Sequence, residues 1–446
     1  MTSREYWKGR RIAVIGLGRQ GEMVEDVKFL IKAGALVGIY DLKSEARLKQ
    51  DLVFLRSQGL ANYVCGSIPV DDLIDHDLVI LSHEYPRDSG FLKIVREKGI
   101  PIEYPETLFF RHAPPITVVG IMGEAGTSTV VSMLTPILEA ACDQAEGQRF
   151  FVVDPDTDNG TLAHLRKIQS GDVVLMRIIP DMIRELHAIR ISPQVAVFTT
   201  IPPKGSFDRS PFEILEFQTY NNFIIASDTI IDATRRYKDL PRAKMLRTKA
   251  SIIPTEWTLK HIPPEGRSHD REHAALSLQV ARLFKVDDEI THYHLDRWKP
   301  LRGRIELVKK VKQIEFYNDS ASVSARSTQV ALETLMKADE RKNITLIFGG
   351  AESMSDYRPL YALFPACIER VILVPGSGTI RERASIERFP KMAVHSAPSV
   401  EEAVRLAFEH AKKGDRVLFS PGFEARGYDG SRHERGERFI RAVRSL

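Results

Sequence analysis

The stretch TVVGIMGEAGTSTVVSML, residues 117–134, sets a buried apolar run, a loop bounded by glycines and the first turns of a helix in direct succession. Strand, glycine turn and helix N-terminus in that order gather unpaired backbone amides and the positive end of a helix dipole around one small space, which suits a phosphate. A loop of this kind normally carries a Lys for the β- and γ-phosphates and a Ser or Thr whose hydroxyl reaches Mg²⁺. Gly120, Gly123 and Gly126 supply the bends, and Ser128 and Thr129 supply hydroxyls that could also cap the helix, but Thr127 stands at the Lys position. On these residues alone, a phosphate loop and a structural strand-to-helix turn both stay open.

Outward from this loop, short β-rich runs alternate with amphipathic helical stretches from Arg11 onward, the pattern of an α/β protein with mainly parallel sheets. RIAVIG is a strand, Glu22 to Ala33 a helix, LVGIYD a second strand and DLVILS (77–82) another. Gly16, Gly18 and Gly21 follow the first strand as GxGxxG, and Asp41 ends the next strand, the dinucleotide pattern. NAD, another diphosphate ligand and a structural turn each fit that fingerprint. Two prolines in RHAPP (111–115) interrupt the alternation and mark a boundary. A second unit runs through DVVLMRI, QVAVFTT and NNFIIAS to the helical REHAALSLQVARLF, and DRWKPLRGRIE (296–306) reads as a hinge before a third unit with the strands ITLIFGG, RVILVPG and RVLFSPG. The expected division is 1–113, 114–298 and 299–446, three consecutive Rossmann-like or P-loop-like units.

With 446 residues and a net charge of +4 there is core enough for several domains, and too little surplus charge to bind nucleic acid or a membrane surface in bulk. Cys65, Cys142 and Cys367 are far apart and odd in number, which suits reduced thiols, and no metal spacing exists among them. No stretch approaches the roughly 18 apolar residues of a membrane span. The expectation is a cytoplasmic, unprocessed protein. The basic run RRYKDLPRAKMLRTK (235–249) reads as a solvated face, and SRHERGERFIRAVRSL as an amphipathic helix with Phe439, Ile440 and Val443 inward.

Taken in order, AVIGLGRQG with IYDLK, VVGIMGEAGTST, GRSHDREHAALSLQVARLF, GRIE, FYNDSASVSARSTQVALETL, LIFGGAESMSDYRPL and VLFSPGFEARGYDGSRHERGERF resemble the Mur ligase family over nearly the whole chain, most closely its MurD, D-glutamate-adding type. The resemblance implies a uridine-diphosphate sugar peptide on the first domain, ATP with Mg²⁺ on the second, and a third domain closing over both. It implies uridine diphosphate at Gly16, Leu17, Gly18, Arg19 and Gln20 with Asp41 and Lys43 alongside, and a nucleotide at Gly123, Gly126, Thr127, Ser128, Thr129, His269, Asp270, Arg304 and Asp319.

The chain departs from that pattern where the chemistry lies. The family's serine-proline-glycine turn is Ser82, His83 and Glu84, and that acid would repel a diphosphate. The metal-binding Glu aligns with Arg177, and Lys204 lies where an aspartate-histidine pair is usual. The residues holding D-glutamate map to Ser353, Ala425 and Arg432. A cation cannot coordinate a metal, so no catalytic residue is intact and no metal site is expected. The expected function is a pseudoenzyme that still binds a UDP-N-acetylmuramoyl peptide, another anionic small molecule or a nucleotide, with an active Mur ligase as a conceivable partner; an active ATP-dependent ligase with a rearranged site, and an NAD enzyme, are the alternatives. Glu124 and Arg177 are expected to pair in the vacated pocket.

Overall fold

Parallel strands buried on both faces read as continuous apolar runs, and those runs form the centres of three sheets. The computed structural model describes the chain except residues 1–2, 19–20, 86–88, 146, 156–159, 201–210, 236–241, 263–267, 339–340, 352–354, 391 and 426–431. Arg19, Gln20, Lys204 and Ser353 therefore lie outside the described residues, as does the side chain of Arg432.

The first sheet comprises β1 (Arg11–Ile15), β2 (Leu36–Asp41), β3 (Asn62–Cys65), β4 (Leu78–Leu81) and β5 (Ile102–Glu103) in the order β3-β2-β1-β4-β5, all parallel. With β1 between β2 and β4, the crossovers leave it in opposite directions and open a crevice at the carboxyl ends of β1 and β4. The second sheet comprises β6 (Thr117–Met122), β7 (Phe150–Val153), β8 (Val173–Arg177), β9 (Val195–Phe198), β10 (Phe223–Ala226) and β11 (Lys244–Arg247) in the order β11-β10-β9-β6-β8-β7, again parallel. Here β6 is flanked by β9 and β8, so the loop after it faces the ends of both.

The third sheet has β12 (Glu306–Val311), β13 (Ile314–Asn318), β14 (Ile344–Phe348), β15 (Ile368–Leu373), β16 (Ala393–Ser396) and β17 (Arg416–Phe419) in the order β12-β13-β17-β14-β15-β16. Only β12 runs antiparallel to its neighbour among these described pairs. Alternation along β14 sends Leu346 and Phe348 into one core and Ile347 into the other, where the C-terminal helix Arg432–Arg444 adds Phe439 and Val443 as its sequence implied.

The helix that Ser128 or Thr129 could have capped is Thr127–Gln144, with Gly126 at the cap in a left-handed conformation (φ 83°) and no side-chain cap bond. Part of the basic run read as a solvated face is the edge strand β11, whose Lys244 and Arg247 are exposed. The first and second sheets share one apolar seam, from Ile12, Leu30 and Phe109 across to Val118, Leu162 and Ile183. Among the described residues no helix is long and apolar enough to cross a membrane.

Candidate functional site

A cavity of about 690 Å³ runs between the three sheets, lined by Gly18 and Glu84 from the first, Gly123–Ser128, Asp154 and Arg177 from the second, and Arg326 and Arg358 from the third. Its first wall is the glycine loop after β1. Gly16 and Gly18 have φ of +81° and +88°, which lets the chain turn tightly under the crevice. Asp41 is wholly buried at the end of β2 and accepts the amides of Leu17 (3.0 Å) and Lys43 (2.8 Å) and the Tyr85 hydroxyl (3.2 Å). The Lys43 ammonium lies 2.7 Å from each Glu84 oxygen and 3.0 Å from the Gly18 carbonyl, while the Gly18 amide donates to Glu84 Oε1 at 3.2 Å. The structure thus brings together Gly16, Leu17, Gly18, Asp41 and Lys43.

The second loop is also internally satisfied. The Thr200 hydroxyl accepts the amides of Glu124 (3.0 Å) and Ala125 (3.3 Å), two donors of the kind that face phosphate in a phosphate loop. A Cβ on Gly126 would lie 2.1 Å from His273 Nε2. Burial, and to a lesser degree His269 and Arg304, hold the His273 pKa down at about 3, so this imidazole is neutral and supplies no cation in place of the Lys. Burial raises the Glu124 pKa, opposed by Arg326 reaching over from the third sheet.

Arg177 ends β8 opposite Ile121 of β6, which aims it at the loop. Its Nε donates to Asp154 Oδ1 at 2.7 Å. In place of the expected Glu124, the structure gives Arg177 Asp154 as a partner: Asp154 follows β7, the strand hydrogen-bonded to β8, while the cation that acts on Glu124 is Arg326. A divalent metal does not suit this donor set. Asp154 is engaged with a guanidinium, and among the described residues no group of three His, Cys, Asp or Glu side chains is placed to hold a metal ion.

The nucleotide-side residues do converge. His269, Asp270, Arg304 and Asp319, spread over some fifty positions of sequence, line one cavity of about 230 Å³ with Gly126, Ser128 and Thr129. Asp319 is buried, which pushes its pKa up to about 6 against hydrogen bonds from Ser322 and Ser420 and the charge of Arg304. Ala425 is half-buried beyond Glu424, which lines the larger cavity.

Sequence reasoning passed over a cluster on the same cavity. Asp26, 1% exposed, accepts the amides of Leu162 (2.6 Å) and Ala163 (3.3 Å). Buried Glu106 contacts His83 Nε2 at 2.9 Å and the Thr161 hydroxyl at 3.4 Å. One signal was present: Asp26 shares the helical stripe of Met23, Val27 and Leu30, where a carboxylate needs a partner.

Three mainly parallel α/β sheets, glycine loops after the leading strands of the first two, and one cavity between all three define a protein of Mur ligase architecture. The description "Mur ligase, glutamate ligase domain" fits residues 303–423. The chain is 27% identical over 470 residues to the UDP-N-acetylmuramoylalanine–D-glutamate ligase of Geotalea daltonii, covering 98% of each, and 25% identical over 465 residues to that of Koribacter versatilis, again 98% of each. Among solved structures it is similar to a murein peptide ligase from Psychrobacter arcticus (TM-score 0.61, 14% identity, 98% of this chain and 99% of that one). The UDP-N-acetylmuramate-alanine ligase of Thermotoga maritima gives a TM-score of 0.60 at 14% identity, with the same coverage. The family description thus matches the region of the third sheet, and the full-length similarity is to ligases of the D-glutamate-adding type.

Proposed function

We propose that this chain is a binding relative of the ligases of peptidoglycan precursor synthesis, and that ATP-driven activation of a carboxylate has been lost from it. The observation that carries the reading is Arg177, fixed 2.7 Å from Asp154 beside the second glycine loop. Phosphoryl transfer depends on positioning and on cations that neutralise the transferring group. In the family's pattern those cations are a metal and the loop Lys; here a guanidinium stands at the metal ligand's position and Thr127 at the Lys.

The convergence of His269, Asp270, Arg304 and Asp319 on one small cavity favours retained nucleotide binding beside that lost chemistry. The dinucleotide alternative gains little, because the Asp41 carboxylate that would hold a ribose is turned inward onto Leu17 and Lys43.

The test is phosphate release from MgATP with UDP-N-acetylmuramoyl-L-alanine and D-glutamate, run beside calorimetric titration with ATP. Heat of binding without phosphate release is the expected pair. Sustained release coupled to formation of the amide product overturns the proposal and restores the active ligase.

A further inference from the structure

The carboxylate of Glu84 stands where the first glycine loop would present itself to a diphosphate. Lys43 gives its ammonium to both Glu84 oxygens at 2.7 Å, and the Gly18 amide donates to Oε1 at 3.2 Å. An anion in the cradle would look for these two donors, one a full charge and one a backbone amide beside the β1 turn. The fit is close: a Cβ on Gly16 would lie 2.6 Å from Glu84 Oε1, and one on Gly18 would lie 2.0 Å from Glu22 Oε2, so a second carboxylate borders the same turn.

The placement is built into the fold. β4 lies beside β1, so the turn after β4 overhangs the loop after β1. Within that turn the Glu84 amide leans on the Ser82 hydroxyl (3.4 Å), while the next residue, Tyr85, is anchored twice: its hydroxyl donates to Asp41 and accepts the Leu42 amide at 3.0 Å. The preceding residue, His83, pairs with Glu106. With both neighbours pinned, Glu84 is directed onto Lys43.

We propose that Glu84 is a built-in gate over a diphosphate cradle: it occupies Lys43 and the Gly18 amide, and a nucleoside diphosphate binds the first glycine loop only by displacing it. A ligand must then exchange one anion for another, and the net gain of its charge-assisted contacts is small. This inference stands apart from the loss of ligation, because its readout is UDP affinity and not phosphate release.

Calorimetric titration of the full chain with UDP, at low salt and without metal, tests it. Glu84→Gln removes the competing charge while keeping the shape, and is expected to bind UDP about 10-fold or more tighter than the unaltered chain, the scale of one charge-assisted contact. Adding Lys43→Met to Glu84→Gln should return the affinity to the starting value. Thermal melting checks the fold of each variant, and Glu84→Gly, which vacates the space altogether, is read in the same way should Glu84→Gln not fold. Equal UDP affinity with and without Glu84, no UDP binding to either variant, or a gain that survives the loss of Lys43 would each overturn the gate.

Discussion

Arg177 and Asp154 have side chains only 9% and 11% exposed, so their ion pair is held away from water. A pair of this kind adds little over an apolar replacement, but removing one partner takes an opposite charge away from the other where water is scarce. Arg177→Gln or Asp154→Asn alone is therefore expected to destabilise the chain by about 3 kcal/mol in denaturant unfolding, and the double variant by clearly less than the sum. Additive losses would show that the two charges do not depend on one another. The site's oddities were legible one residue at a time: a Thr at the Lys position and an Arg at the carboxylate position are plain in GEAGTST and DVVLMRI. Their partners were not. Arg177 was matched to Glu124 because both flank the loop, whereas Asp154 comes beside it through the pairing of β7 with β8, and FFVV was not read as a strand.

At the scale of elements, the helix Thr127–Gln144 begins on Gly126, whose φ of 83° and missing Cβ bring the loop against His273. Gly126→Ala should destabilise by more than about 2 kcal/mol: roughly 1 kcal/mol for a side chain in left-handed backbone and the remainder from overlap with the imidazole. Adding His273→Ala should recover the overlap but not the backbone strain, and full recovery in equilibrium unfolding would refute this division. The same contrast explains which elements the sequence disclosed. Central strands such as β8 and β14 are buried throughout, and β6 from Val118 onward, and they leave a nearly unbroken apolar signature. The edge strands β3 and β11 are only half-buried, and in NYVC and KMLR nothing distinguishes them from loop. The internal caps were hidden for a different reason. The Thr200 hydroxyl on the Glu124 and Ala125 amides, and Glu84 on Gly18, span 75 or 76 and 66 positions, distances that only the sheet order closes.

Across the whole molecule the first two sheets meet through one apolar seam, and Asp26 lies at its polar end with its carboxylate on the amides of Leu162 and Ala163. Burial, helped by the neighbouring charge of Glu106 and opposed by those amides, raises its pKa to about 7. A carboxyl group that holds its proton more tightly folded than unfolded favours the folded chain below the unfolded value near 3.8, and that contribution is lost as pH rises through about 7. Glu106 has the opposite sign: His83 and Thr161 outweigh its burial and lower its pKa below 4.5, so its contribution is present above that value and fades only on further acidification. The two windows do not coincide, but Asp26 does not act alone between pH 5 and 8. Buried neutral His273, its pKa held at about 3, favours the folded chain increasingly as pH rises towards 6.5, and Asp319, raised to about 6, adds to the Asp26 decline, so the Asp26 share is read as the difference from a variant that cannot ionise there. Unfolding followed by circular dichroism should therefore show the stability of the unaltered chain relative to Asp26→Asn declining from pH 5 to 8 by an amount on the order of a few kcal/mol. Asp26→Asn keeps an oxygen for the two amides but cannot ionise, and should leave the chain more stable than the unaltered one at pH 8. Asp26→Ala deprives Leu162 and Ala163 of their acceptor and should lower stability at pH 5, where the carboxyl group is still protonated. An unchanged slope in Asp26→Asn would mean that the seam's sensitivity to pH originates elsewhere.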